Sequence, residues 1–144
     1  MKKILIAISL LLSIESCKST KAGFKKPTLL DETRFRITEI STDETYGFTE
    51  KNAVKVNCTT AEEKVKNERR FLNALAGNNG EAIKYQRLNS CCHFKTESKD
   101  AIMGIGLLDV YEVKIENDNT SKRIYINMYE CDNLKAPVGF SIRK

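Results

Sequence analysis

YEVKIENDNTSKRIYIN, residues 111–127, decides the fold. Apolar and polar residues alternate on both sides of a polar tip, with Tyr111 and Val113 before it and Ile124 and Ile126 after it. A period of two is the mark of a strand with one buried face. Asp118-Asn119 at the tip tolerate the left-handed backbone that a tight turn demands, so the stretch reads as a β-hairpin. Pairing about that tip sets Val113 opposite Ile124 and Tyr111 opposite Ile126, and the hairpin is expected to bury Tyr111, Val113, Ile124, Ile126 and Met128. Glu112, Lys114, Arg123, Tyr125 and Asn127 fall on the reverse face. Such clean alternation implies a sheet covered on one side only.

The cover is a helix. Thr60 followed by Glu63 makes a capping-box pattern, and Glu62 and Glu63 sit where the helix dipole favours negative charge. Val65, Leu72, Leu75 and Ala76 share a face, with Phe71 at its border, and Gly77 with Asn78, Asn79 and Gly80 ends the pattern. The spacing predicts a helix over 61–76. Strands are predicted over RFRITEIS (34–41), from Ile83 towards Cys91, and over 102–116, where Gly104 and Gly106 mark a bulge or a close backbone approach. A short apolar piece, Ala53 to Val56, follows a loop at 43–52. The class is α+β: an antiparallel sheet of about five strands with one main helix packed on one face. There is no internal repeat or low-complexity segment.

At the N-terminus, Lys2 and Lys3 precede an apolar run from Ile4 to Ile14 that stops at Glu15, Ser16 and Cys17. A positive start, a short apolar segment and a small residue at the break fit a secretory signal, and the run is too short to span a bilayer. A cysteine after the small residue, followed by polar Lys18, Ser19 and Thr20, matches a bacterial lipoprotein cleavage site, from which Glu15 departs. The expected organisation is a signal peptide over 1–16, a lipidated Cys17 and flexible tether over 17–30, and a single globular domain over 31–144. A mature chain of 128 residues is enough for one core. The expected location is the cell envelope, anchored to the membrane through the lipid. With no Asp after Cys17 and no acidic cluster, the periplasmic face of the outer membrane is preferred.

Charge is informative mainly by what it excludes. Loss of Lys2, Lys3 and Glu15 with the leader leaves 22 basic against 18 acidic residues. The excess is partly held in the tether, where Lys18, Lys21, Lys25 and Lys26 stand without an acid and read as a solvated leash. Elsewhere acids and bases are interspersed, with no aromatic-basic signature, so nucleic acid is excluded as a partner.

Four cysteines remain after Cys17: Cys58, Cys91, Cys92 and Cys131. Export favours disulfides. Neighbours on a strand point to opposite faces, so a bond between Cys91 and Cys92 requires distorted backbone. At least one long-range bridge is therefore expected, either Cys58 to Cys131 or one of the paired cysteines to Cys131. Cys91-Cys92-His93 is the only concentration of reactive groups and supplies the alternative catalytic reading, a thiol enzyme or redox protein. That reading needs the imidazole within reach of sulfur, which adjacent strand residues do not readily give, and the C-x-x-C spacing that lowers a thiol pKa is absent. No two ligands have metal-finger spacing, and no metal or cofactor is expected.

Other motifs carry weaker signals. Gly104-Ile105-Gly106 lacks the third glycine and the following helix of a phosphate loop. Asn67-Glu68-Arg69-Arg70 reads as a solvated helix flank with intrahelical pairing, and Asp109 and Glu112 read as sheet-surface charge. The function expected is that of a non-catalytic binding or structural module, an inhibitor or immunity-type protein belonging to the same class, directed at an envelope protein, lipid or glycan, with the reverse face of the hairpin as contact surface, since Tyr and Arg are enriched where binding energy concentrates.

The blocks YGFTEKNAVKV (46–56), NERRFLNALAG (67–77), SCCHFKT (90–96), LLDVYEV (107–113), YINMYE (125–130) and LKAPVGF (134–140) resemble a family of small bacterial envelope lipoproteins with no established activity. The resemblance spans nearly all of the mature domain. It includes the paired cysteines and the N-E-R-R helix but not Cys58 and Cys131, which implies an added bridge between those two. Some members carry the name 2-dehydro-3-deoxyphosphooctonate aldolase. Enzymes of that sugar phosphate are similar to one another in using a barrel of about 250 residues. A chain of 128 residues has no room for one, and export separates it from phosphorylated cytoplasmic metabolites.

Overall fold

The computed structural model describes residues 24–144; the apolar leader and Cys17 lie outside the described residues. Its elements run β1 (Leu29–Asp31), β2 (Arg34–Phe35), β3 (Val54–Lys55), α1 (Lys64–Asn73), β4 (Leu75–Ala76), β5 (Ile83–Lys95), β6 (Ile105–Ile115), β7 (Ser121–Asn127) and β8 (Ser141–Ile142). The class is α+β. The main sheet has four strands in the order β3-β7-β6-β5, and β1-β2 and β4-β8 form separate two-stranded ribbons. The sheet is mixed: β5-β6 and β6-β7 are antiparallel, whereas β3 lies parallel to β7.

The β6-β7 hairpin forms, two residues out of the expected register. Tyr111 faces Ile124, Val113 faces Lys122 and Glu112 faces Arg123. The turn explains the difference. Asn117 takes the positive φ, 65°, and the Asp118 N–H donates to Ile115 O. The Asp118 carboxylate accepts from both the N–H and the hydroxyl of Thr120. The faces survive, because a slip of two leaves every side chain on its own side. Tyr111, Val113, Ile124 and Ile126 are all buried, while Met128 is half-buried.

The helix is shorter than its sequence pattern. Ala61–Glu63 form a 3-10 turn, α1 ends at Asn73, and Leu75 and Ala76 pair with Ile142 and Ser141. Thr60 makes no side-chain cap; instead the Glu63 N–H donates to the Thr60 carbonyl at 3.1 Å. The buried stripe of the helix also differs: it is Asn67, Glu68, Arg70, Phe71 and Leu72, whereas Val65 is half exposed. Phe71 and Leu72 are fully enclosed, each worth about 1.5 to 3 kcal/mol of transfer from water.

The 34–41 stretch contributes only the two residues of β2 to a strand, although Phe35 and Ile37 both enter the core as their alternation implies. Beyond β2 the chain is held through a bridge between Ile40 and Ala136. Gly106 is a point of close approach. A Cβ there would meet the Phe94 ring at 2.6 Å and the Tyr129 ring at 3.0 Å, two rings packed edge to face. Phe94 belongs to β5, so β5 and β6 continue as a paired ribbon beyond Asp109, the last β6 residue paired with β7.

Candidate functional site

The reverse face of the hairpin is partly as expected. Glu112 accepts from Gln86 Nε2 at 3.0 Å and from Ser121 Oγ at 3.0 Å, with Lys114 Nζ 3.7 Å away. The Ser121 bond first, then Lys114 and Gln86, hold its carboxyl below the usual range. Arg123, directly opposite, is exposed, and its side chain has no hydrogen-bond or ion-pair partner among the described residues. Tyr125 is half-buried, and its N–H donates to Gly47 O at 2.8 Å, which draws the 43–52 loop against the edge of the sheet. That contact brings Phe48 to Arg123 and Tyr125, and together with Lys122 they line an open depression of about 410 Å³. Lys122 Nζ sits 5.6 Å from the centre of the Phe48 ring and 5.3 Å from that of Phe140. The arrangement offers two cations and two aromatic rings to something large, without enclosing a small molecule.

Asn127 leaves this group. It is 3 % exposed, and its Oδ1 accepts from the N–H groups of Tyr129 and Glu130, so it shapes the turn after β7. Its backbone still pairs with Lys55 of β3, so the strand ends at Asn127 while its side chain organises the turn that follows.

All four described cysteines are bonded: Cys58 to Cys131 and Cys91 to Cys92. The first closes a separation of 73 residues and ties β3 to the segment after β7. The expected long-range bridge to Cys131 is thus the one from Cys58, and the second bond joins the neighbours whose pairing requires distorted backbone. The distortion such a bond requires is present: the β5-β6 register breaks between Cys91 and His93, and Cys92 has φ 61°. His93 is exposed beside this bulge. With both sulfurs in a bond to each other, the Cys91-Cys92-His93 group holds no thiolate.

The polar cluster missed in the sequence lies between α1 and the sheet. Glu68 is 0 % exposed and accepts from Tyr111 Oη at 2.7 Å through Oε2, while Oε1 has no hydrogen-bond partner. Burial pushes its pKa to about 8; the neighbouring Asp109 carboxylate adds to the rise, and the tyrosine bond opposes it. Asp109 is 2 % exposed and receives Arg87 Nε at 2.7 Å, Arg87 Nη2 at 2.8 Å and Ser90 Oγ at 2.6 Å. It is therefore no surface charge. Burial first, then the Glu68 bond, raises the Tyr111 pKa.

One turn away, Arg70 donates to Asn67 Oδ1 at 2.9 Å, Glu63 Oε1 at 3.0 Å and Glu32 O at 2.9 Å, and Asn67 is bonded to Thr59. The N-E-R-R segment thus faces inward through three of its four residues. The signal was available: Asn67 and Glu68 each precede Phe71 and Leu72 by four residues, so they continue the apolar stripe. Glu68 is fully enclosed, and its bond to Tyr111 makes the cluster a latch between helix and sheet.

Comparison with family models, with curated proteins and with solved structures finds no match for the chain.

Proposed function

We propose that this chain is a lipid-anchored envelope protein that works by binding, with the outer face of the β6-β7 hairpin as its contact surface. The observation that carries the reading is the grouping of unpaired Arg123 with Tyr125, Phe48 and Lys122 around one open depression on a sheet fixed by the buried core. Aromatic rings and arginine are enriched among residues that carry binding energy, and a backbone already fixed in a sheet has little conformational entropy left to lose when they engage. The resemblance to envelope lipoproteins and the leader ending at Cys17 support the anchor. The alternative, catalysis by Cys91 or Cys92 with His93, is disfavoured by the bond between the two sulfurs. The aldolase name is disfavoured by a fold of one helix and a four-stranded sheet.

The test is recovery of partners from the native envelope with the full-length anchored protein and with a variant carrying Arg123→Ala and Tyr125→Ala. The expected result is loss of at least one specific partner with the melting temperature nearly unchanged. Undiminished recovery from the folded double variant removes this surface. A cysteine in the exported protein that reacts fast with a thiol reagent would reverse the choice between binding and catalysis.

A further inference from the structure

A second site lies where the chain enters the domain. The backbone N–H of Lys25 donates to Asn133 Oδ1 at 3.0 Å, and Arg36 N–H donates to Thr28 O at 2.8 Å. Ala136 N–H donates to Glu39 O at 2.9 Å, and Ser41 N–H donates to Ala136 O at 2.8 Å. These bonds hold three separate stretches, 25–28, 36–39 and 133–135, as walls of one crevice of about 350 Å³. Lys25, Lys26, Arg36 and Lys135 line it, against a single acid, Glu39. Glu39 is taken by Lys135 Nζ at 2.9 Å. The side chains of Lys25, Lys26 and Arg36 have no hydrogen-bond or ion-pair partner among the described residues, so three cations converge with nothing to neutralise them.

We propose that this crevice is a phosphate site. A carboxylate would answer only one of the three free charges, whereas a phosphomonoester or diphosphate carries close to two negative charges or more on several acceptor oxygens. The guanidinium of Arg36 offers a planar fork that matches two phosphate oxygens, and the flexible lysines supply point charges. Thr28 and Thr38 add hydroxyl donors to the wall. The volume is at the lower end of the range for small-ligand sites, enough for a phosphorylated head group or a free phosphorylated molecule. The site is built from residues other than those of the hairpin face, so either proposal can fail alone.

The experiment is calorimetric titration of the full chain in neutral detergent micelles, first with inorganic pyrophosphate and then with the same micelles doped with phosphatidic acid. The paired substitution Lys26→Gln with Arg36→Gln should weaken binding at least tenfold at unchanged melting temperature. Lys51→Gln, which removes an exposed charge outside the crevice, should leave it unaltered. Binding of pyrophosphate that doped micelles displace assigns the site to a lipid head group; binding that they do not displace assigns it to a free phosphorylated molecule. Absence of binding to both probes, or equal weakening by Lys51→Gln, overturns the proposal.

Discussion

Replacing Glu68 by Gln should stabilise the protein at neutral and alkaline pH and leave it unchanged in acid. The carboxyl is completely enclosed, with its pKa raised from 4.5 to about 8, chiefly by burial. A carboxyl whose folded value is raised favours the fold fully below about 4.5, and that contribution is lost as pH rises through about 8. Each pH unit in this interval is worth about 1.4 kcal/mol, so an ionisable Glu68 costs about 3 kcal/mol at pH 7 relative to a group that stays neutral. Glutamine is such a group. Its Oε1 can accept from Tyr111 Oη, and its Nε2 can donate to Asp109, which Arg87 and Ser90 already hold. Urea unfolding of wild type and Glu68→Gln at about pH 3.5 and about pH 8 should show coincident midpoints in acid. At pH 8 the variant should unfold at the higher midpoint, with the same slope. Equal midpoints at both pH values, or a variant less stable at pH 8, would refute the view that Glu68 is held protonated by its surroundings.

The two disulfides should contribute very differently, because the chain entropy removed depends on the loop closed. Cys58→Ser with Cys131→Ser opens a separation of 73 residues and should cost about 4 kcal/mol in chemical unfolding, while Cys91→Ser with Cys92→Ser closes no loop and should cost far less by this route. Gly106→Ala drives a methyl group into the Phe94 and Tyr129 rings and should destabilise by about 1 to 3 kcal/mol, read as a lowered melting temperature. Cys17→Ala should abolish metabolic labelling with a radioactive fatty acid; persistent labelling would put the anchor elsewhere.

What the sequence disclosed was whatever a local period controls. The two faces of the hairpin were legible because alternation is a property of neighbours, and it tolerated a register wrong by two. The end of the helix was not legible, since Leu75 and Ala76 leave it to pair with β8, more than sixty residues away. Residue type alone points Glu68 and Arg70 to solvent, whereas their neighbours Phe71 and Leu72 define a buried stripe that includes them. The cationic crevice could not be read from local pattern: its basic residues come from three stretches brought together by bonds to the Asn133 side chain and to the backbone of Thr28 and Ala136. Ideal strand geometry disfavours a bond between Cys91 and Cys92, and the chain meets its demand with a bulge.

That bulge has a bearing on how copies of the protein behave towards each other. β5 is an outer strand of the sheet and is thirteen residues long, a length at which an open edge invites a second chain to add on and continue the ladder. Its register breaks twice, after Arg87 and after Cys91, leaving uninterrupted runs of only five, three and three residues. The second break is fastened covalently by the bonded sulfurs. With these sulfurs bonded the outer strand keeps a jagged rim, which opposes the addition of a second copy in register.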